Sequence, residues 1–136
     1  MRKKLIFVGC ILMISAMAFA EDTTTTQTCA NGAGTVITGA ITGHKYCKSN
    51  STMNWWNANA WCDALGRRLF SIDDCEFSST SGTSKCHDLN GIGDGWCWTG
   101  TPRGSAHAYD INLSSGDFNG NGDRGIGFSS YYAFCY

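Results

Sequence analysis

The sequence has no long apolar run after residue 20 and no cluster of basic residues after residue 4. The first absence excludes a membrane-spanning helix from the part of the chain that would remain after export. The second argues against nucleic acid and anionic membrane surfaces as partners. Three of the ten basic residues lie in the first 20 positions, so the remainder, with all 11 acidic residues, carries a formal charge of −4.

Catalytic signatures are also missing. The sequence contains no Gly-x-Ser-x-Gly, His-Glu-x-x-His or paired-carboxylate motif, and its histidines are scattered at His44, His87 and His107. Each histidine is more simply interpreted as an exposed polar side chain. No C-x-x-C pair occurs, which argues against a thioredoxin-like redox centre and a zinc knuckle. We therefore predict a protein that is not an enzyme, with no catalytic residue and no structural metal.

An export signal is present at the start of the chain. Residues 2–4 are basic, residues 5–17 are apolar, and Ala18-Phe19-Ala20 has the form of a cleavage site, so residues 1–20 are predicted to be a signal peptide. A lipoprotein signal ending at Cys10 is the weaker alternative, because it would leave a very short apolar region. Residues 21–28 are threonine-rich and polar, which predicts a disordered leader. A single domain over residues 29–136 then follows, in a bacterial protein that is secreted, periplasmic or at the cell surface.

One amphipathic helix organises this domain. Asn54 is a suitable N-cap, because its side-chain oxygen can accept from an amide of the first turn. Gly66 can adopt the left-handed conformation that ends a helix. Between them an apolar stripe recurs at helical spacing and consists of Trp55, Ala58, Trp61, Cys62 and Leu65. Cys62 therefore faces inward, where it can be cross-linked.

Seven cysteines follow the signal peptide, namely Cys29, Cys47, Cys62, Cys75, Cys86, Cys97 and Cys135. In an exported chain this density indicates a disulfide framework with one thiol left over. Residues 29–47 hold two short strand-like runs among glycines, which predicts an N-terminal hairpin closed by Cys29–Cys47. The segment between Cys75 and Cys86 is too polar for a helix, so we predict a loop closed by Cys75–Cys86.

Three segments resemble, in the right order, motifs of the C-type lectin-like domain family. They are Trp55-x-x-Ala58-x-x-x-Cys62-x-x-Leu65-Gly66-x-x-Leu69-x-Ser71-Ile72, the strand Trp96-Cys97-Trp98-Thr99-Gly100 and the chain end Tyr132-Ala133-Phe134-Cys135-Tyr136. The resemblance covers residues 44–136. It is to the compact branch of the family, because few residues separate Gly100 from the next strand near Ala108, where sugar-binding members carry a long loop.

The resemblance implies an α+β fold of the C-type lectin-like kind, cross-linked by disulfides. One main helix and a short second helix, which Asp73 and Asp74 can cap, would pack on a small curved antiparallel sheet. It also implies a Cys62–Cys135 bond between the helix and the last strand, which the chain-entropy model values at roughly 4 kcal/mol. Cys97 is then the free thiol, and it can act as a small buried hydrophobe. Pairing of Cys86 with Cys97, with Cys75 free, is the alternative left open.

A possible calcium loop lies near the chain end. Oxygen-bearing side chains alternate with other residues, as a hard cation requires on a tight turn, at Asp117, Asn119, Asn121 and Asp123. The EF-hand pattern needs a glutamate at its twelfth position, and that position is Phe128. Glycine-rich asparagine runs are also common in open hairpin loops. We therefore predict an ordinary loop over residues 119–125 with no cofactor, and keep calcium as the lesser hypothesis.

Recognition is the function that these features favour. The tripeptides that calcium-dependent lectins use for sugar are absent, but a sugar could stack without calcium on an exposed aromatic; the candidates are Trp56, Phe118, Tyr131 and Tyr132. We place the contact face in residues 101–107 and 117–124, since loops on a rigid scaffold commonly carry recognition. Its candidate ligand-binding residues are Arg103, His107, Asp117, Asn119, Asn121, Asp123 and Arg124.

The predicted function is thus non-catalytic binding of an unknown protein or glycan at the cell surface. The alternative is a structural subunit of a surface appendage or envelope complex, joined to its neighbours through the odd cysteine or the threonine-rich leader.

Overall fold

The computed structural model describes residues 28–75, 85–125 and 129–136. These residues form an α+β structure in which one helix packs on a six-stranded mixed sheet. The elements are β1 (Gly34–Thr38), β2 (Lys45–Met53), α1 (Trp55–Ala64), β3 (Trp96–Arg103), β4 (His107–Asn112), β5 (Phe118–Asp123) and β6 (Tyr131–Cys135). The predicted signal peptide and all of the predicted leader except Thr28 lie outside the described residues.

The strand order in the sheet is β1-β2-β6-β3-β4-β5, and one neighbouring pair is parallel. β3 and β6 run in the same direction, with Cys97 opposite Tyr132 and Trp98 opposite Ala133. The expectation of a fully antiparallel sheet is therefore wrong at this pair. No hairpin turn sets the relative direction of β3 and β6, because β4 and β5 separate them along the chain. The other neighbours, including β2 with β6, are antiparallel.

The helix begins and ends as the sequence predicts. The Asn57 amide donates to Asn54 Oδ1 at 2.8 Å, which confirms Asn54 as the N-cap. Gly66 follows the helix with a φ of 68°, a conformation in which a side chain would be strained. Ala58 and Cys62 are fully buried against the sheet. Within the described part of the chain, no helix is long and apolar enough to cross a bilayer.

Each face of the sheet is covered by its own hydrophobic cluster. Trp98 belongs to the cluster that contains the helix residues Ala58 and Cys62. Its strand neighbour Cys97 belongs to the other cluster, which contains Phe70 and Leu89. Because successive side chains of a strand point to opposite faces, the two clusters lie on opposite sides of the sheet. The central strands are therefore buried on both faces, and polar residues there need partners.

The three predicted disulfides are confirmed. The structure contains Cys29–Cys47, Cys62–Cys135 and Cys75–Cys86, with Cα separations of 5.9, 5.6 and 5.4 Å. Cys97 is free and fully buried, so the alternative Cys86–Cys97 pairing does not occur. Burial raises the pKa of the Cys97 thiol to about 12. Such a thiol is inert, because the thiolate is the reactive form.

Where the short second helix was predicted, the described residues contain no α-helix. The chain forms only a single 3₁₀ turn at Ile72–Asp74. The Ser71 hydroxyl accepts from the Asp73 amide, and the Asp74 carboxylate accepts from the Ser71 amide at 2.7 Å. The turn ends at once because Cys75 is extended and bonded to Cys86. The loop predicted between these two cysteines lies outside the described residues, apart from its last residue, Lys85.

The predicted loop over residues 119–125 is also wrong for most of its length, because Phe118–Asp123 is the edge strand β5. Its glycines allow neighbouring side chains to lie directly on it. A Cβ on Gly122 would approach an atom of the Trp98 ring to 2.5 Å, so only glycine fits beneath that indole. The pairing of β4 with β5 contains a register shift between Ala108 and Asp110, as a β-bulge or a similar irregularity produces.

Asp88 shows how a buried acid is normally accommodated in this protein. Its carboxylate is 1% exposed and accepts from the Ile41 and Thr42 amides, the Thr42 hydroxyl and the Tyr46 phenol, all at 2.7 to 2.8 Å. Burial opposes ionisation of Asp88, but these hydrogen bonds outweigh it and lower the pKa of the carboxylate. Burial and the Asp88 contact together raise the pKa of Tyr46. Asp88 therefore anchors the turn between β1 and β2.

Candidate functional site

An open pocket lies where the start of α1 meets the β3–β4 turn and the end of β5. We call it the Trp56 pocket; it is lined by Trp56, Ser105, Ala106, Asp123, Arg124 and Gly125, and its volume is about 230 Å³. Four of these residues fall within the predicted contact face of residues 101–107 and 117–124. The pocket therefore joins the two predicted segments to the first turn of the helix.

Trp56 forms one wall of the pocket, and its position follows from the helix start. The Asn54 cap places Trp55 and Trp56 on the first turn, where they point in different directions. Trp55 is half-buried and donates from Nε1 to the Thr99 carbonyl at 2.9 Å. Trp56 packs on Trp55 in a T-shaped arrangement, with ring centroids 4.9 Å apart, and remains 58% exposed. One indole thus anchors the turn and the other faces solvent.

Arg124 forms a second wall and is held in place by backbone groups. Its amide donates to the Ala106 carbonyl at 2.9 Å. Its Nη2 donates to the carbonyls of Gly104, at 3.0 Å, and Ser105. The guanidinium carbon lies 5.1 Å from the centre of the Trp55 ring, within the range of a cation–π contact. The buried Nε has no hydrogen-bond partner among the described residues.

Asp123 completes the polar side of the pocket. It is the last residue of β5 and lies opposite His107. Its amide donates to the Ser129 hydroxyl at 3.2 Å, and its Oδ1 accepts from the Gly125 amide at 2.7 Å. Neither ion pair found in the described residues joins Asp123 to Arg124. The carboxylate and the guanidinium therefore line one pocket while each keeps hydrogen-bonding capacity.

The other predicted ligand-binding residues do not line this pocket. Arg103 donates from Nη1 to Asn121 Oδ1 at 3.3 Å, so these two residues pair with each other. Asn119 lies opposite Asp110 within the sheet. Asp117 lies at the far end of β5 and forms an ion pair of 3.2 Å with Lys85. The predicted set is thus divided, and Asp123 and Arg124 are the members that meet at the pocket.

The strand conformation of β5 also bears on the calcium hypothesis. Asp117, Asn119, Asn121 and Asp123 alternate along extended chain. A strand rises about 3.3 Å per residue, so the first and last of them are about 20 Å apart. Calcium requires oxygens at about 2.3 to 2.6 Å, so these four side chains do not converge on one ion in this conformation. Within the described residues there is no cluster of three or more acidic, histidine or cysteine side chains that could hold a metal.

The four aromatic candidates for stacking differ in exposure. Trp56 is the exposed one, whereas Phe118, Tyr131 and Tyr132 are partly buried. Tyr131 packs against Trp98 with ring centroids 4.7 Å apart, and Lys48 Nζ lies 3.7 Å above the ring of Tyr132. Trp56 is therefore the aromatic that presents a free surface to a ligand.

Asp110 is a buried acid that sequence reasoning missed. It lies opposite Trp98 in the sheet and is fully buried, and neither carboxylate oxygen has a hydrogen-bond partner among the described residues. Burial raises the pKa of Asp110 to about 6, and the backbone of Gly122 opposes this shift only in part. Asp110 stands between Tyr109 and Ile111, and alternation along β4 would put an acid there on a solvent-exposed face. That side is also core, because both faces of the sheet are covered.

Comparison of the chain with protein-family models, curated proteins and solved structures gives no match. The site must therefore be interpreted from its own geometry.

Proposed function

We propose that the protein is an exported, non-catalytic recognition module of the compact C-type lectin-like kind, which binds a glycan or a protein at the cell surface. The observation that carries this proposal is the Trp56 indole, which is 58% exposed on the wall of a pocket. Large aromatic side chains are costly to leave in water and are enriched where proteins bind partners. The remaining described lining adds a carboxylate and a guanidinium but no histidine or thiol, which favours binding over catalysis.

Two further features support the lectin-like assignment and export. The Cys62–Cys135 bond joins α1 to the last strand, as the resemblance implies. Three disulfides suit a protein that matures in an oxidising compartment outside the cytoplasm. A compact, cross-linked scaffold that holds a small polar and aromatic pocket is well suited to recognition, because its contact residues need little ordering on binding.

The alternative, a covalently joined structural subunit, is weakened by the position of Cys97. The free thiol of Cys97 is fully buried in the cluster that contains Phe70 and Leu89, so it cannot reach another chain unless the protein unfolds. That proposal then depends on the threonine-rich leader alone. Non-reducing electrophoresis of the protein from its own host tests the thiol-linked form of this alternative, because a covalent ladder would show that Cys97 does bond another chain.

The proposed function is tested by binding of the oxidised, exported chain to a broad glycan array and to extracted cell-surface proteins. Trp56→Ala and the double variant Asp123→Asn/Arg124→Gln are compared with Ile41→Ala, a matched control that truncates another exposed hydrophobic residue, 62% accessible and not part of the pocket lining. We expect binding of the wild type and the control, and loss in both pocket variants with little change in melting temperature. Equal binding by all four proteins, or no binding by any, would overturn the proposal.

A further inference from the structure

We infer that the Trp56 pocket binds a single neutral pyranose ring of a glycan without calcium, with the ring stacked on Trp56 and its hydroxyls shared between Asp123 and Arg124. This inference rests on the proposed recognition function and specifies the class of ligand for that site.

The aromatic wall provides the first part of the argument. A pyranose presents one face of C–H groups, which is apolar and carries a slight positive potential. The face of an indole is apolar and negative, so the two surfaces are complementary. Trp56 packs on Trp55 with the two rings inclined at 87°, and this contact restrains the surface that Trp56 offers. A fixed platform loses little side-chain entropy when a ligand is bound.

The polar wall provides the second part. Asp123 accepts from the Gly125 amide through Oδ1, so Oδ2 is available as an acceptor. Arg124 uses Nη2 for backbone carbonyls and its Nε is buried, so Nη1 is the guanidinium nitrogen that can donate to a ligand. A sugar hydroxyl can donate and accept. Neighbouring hydroxyls of one ring can therefore donate to the carboxylate and accept from the guanidinium.

The charges of this wall discriminate between classes of ligand. An anionic sugar would pair with Arg124 but would be repelled by the adjacent Asp123. A cationic group would pair with Asp123 but would be repelled by Arg124. An apolar side chain would stack on Trp56 but would desolvate two charged groups without giving them partners, which is costly. A neutral polyol satisfies both groups at once, so neutral sugars fit better than uronic acids or amines.

The size of the pocket restricts the ligand to one ring. Its volume of about 230 Å³ is below the range of roughly 300 to 1,000 Å³ that encloses drug-sized ligands. The pocket is open to solvent, so the rest of a glycan can extend away from it. One such ring is expected to bind with a Kd of about 1 mM, and clustered display on a surface would raise the apparent affinity.

The test is an NMR titration of the ¹⁵N-labelled, oxidised protein with methyl glycosides of common neutral hexoses and N-acetylhexosamines, in a buffer with a calcium chelator. Binding of at least one neutral glycoside should shift the Trp56 indole N–H signal, which a Trp56→Phe spectrum assigns. Trp56→Ala should weaken binding at least about tenfold, whereas Ile41→Ala should leave it unchanged. Asp123→Asn and Arg124→Gln should each weaken it about tenfold. A methyl glycoside of a uronic acid should bind less tightly than its neutral counterpart.

Three results would overturn the inference: no glycoside binds, Trp56→Ala binds as well as the wild type, or binding requires calcium. The first result does not by itself remove the recognition function. If no glycoside binds but the array or the surface-protein assay still shows binding that depends on Trp56, the sugar assignment fails and the recognition function stands. If those assays also show nothing, both proposals fail.

Discussion

Replacing Asp110 with asparagine should stabilise the protein at neutral pH and much less at acidic pH. Asp110 is fully buried, its two oxygens lack hydrogen-bond partners in the described residues, and the pKa of its carboxyl group is raised to about 6. Asparagine has nearly the same shape and cannot ionise. The substitution therefore removes the cost of burying a charge and leaves the packing against Trp98 and Gly122 largely intact.

The magnitude follows from the difference in pKa between the folded and unfolded states. An aspartate in an unfolded chain has a pKa of about 3.9. Because the folded value is higher, the folded state holds the proton more tightly, so the free energy of unfolding falls as the pH rises from about 4 to about 6. Above about pH 6 the Asp110 carboxyl group is ionised, and the unfolding free energy has lost the full amount that its burial costs. A shift of about two units corresponds to about 3 kcal/mol, at 1.36 kcal/mol per unit.

The assay is urea unfolding of the disulfide-intact wild type and Asp110→Asn, followed by tryptophan fluorescence between pH 4 and pH 7.5. The unfolding free energy of the variant minus that of the wild type should grow by about 2 to 3 kcal/mol across this range and then level off. Three other acids have lowered pKa values and therefore make the unfolding free energy rise with pH, namely Asp74, Asp88 and Asp117. They are present in both proteins, so their contributions cancel when the two unfolding free energies are subtracted.

The buried asparagine amide is expected to change the unfolding free energy of Asp110→Asn by the same amount at every pH. Only the pH dependence of the difference between the two proteins therefore tests the buried charge. Asp63→Asn, on the exposed side of α1, is the control and should change the unfolding free energy by less than about 0.5 kcal/mol at every pH. A difference between Asp110→Asn and the wild type that does not vary with pH would refute the reasoning.

Three further predictions concern packing and disulfides. Gly122→Ala should lower the unfolding free energy by about 1 to 3 kcal/mol, because the new Cβ would collide with the Trp98 ring. The control Gly93→Ala, whose Cβ would meet nothing closer than 3.6 Å, should be nearly neutral. Thermal unfolding of both variants measures the difference. Mass spectrometry after alkylation should find Cys97 unmodified in the native protein and modified in guanidinium; modification of another cysteine there would contradict the observed pairing. Replacing both Cys62 and Cys135 with alanine should cost about 4 kcal/mol in urea unfolding, and a loss below about 1 kcal/mol would contradict the loop-closure argument.

Local features were predictable because their causes lie within a few residues. The Asn54 cap and the Gly66 stop act within one or two turns of the helix, and each can be read from residue type alone. The Cys29–Cys47 and Cys75–Cys86 bonds join segments that are close along the chain. Cys62–Cys135, by contrast, was predicted through a family resemblance, because spacing alone does not define a long-range pairing.

The site was predicted only in part. Asp123, Arg124 and the aromatic Trp56 were among the candidates, but the sequence did not group them. The glycine-rich run that ends at Asp123 has the composition of a loop. It becomes strand β5 because β4 supplies hydrogen-bond partners and because the Trp98 side chain needs a residue without Cβ at Gly122.

The sequence by itself determined the helix, the candidate residues and the density of cysteines, since these depend on residue type and short-range spacing. Only the tertiary structure decided which of them meet. The parallel pairing of β3 with β6 and the packing of Arg124 on Trp55 are long-range contacts with no local signal. Burial is also decided by the tertiary structure. Asp110 is buried because other elements pack over it, and Trp56 is exposed because none of the described elements covers it. A polar alternation in sequence cannot show that both faces of a sheet will be covered.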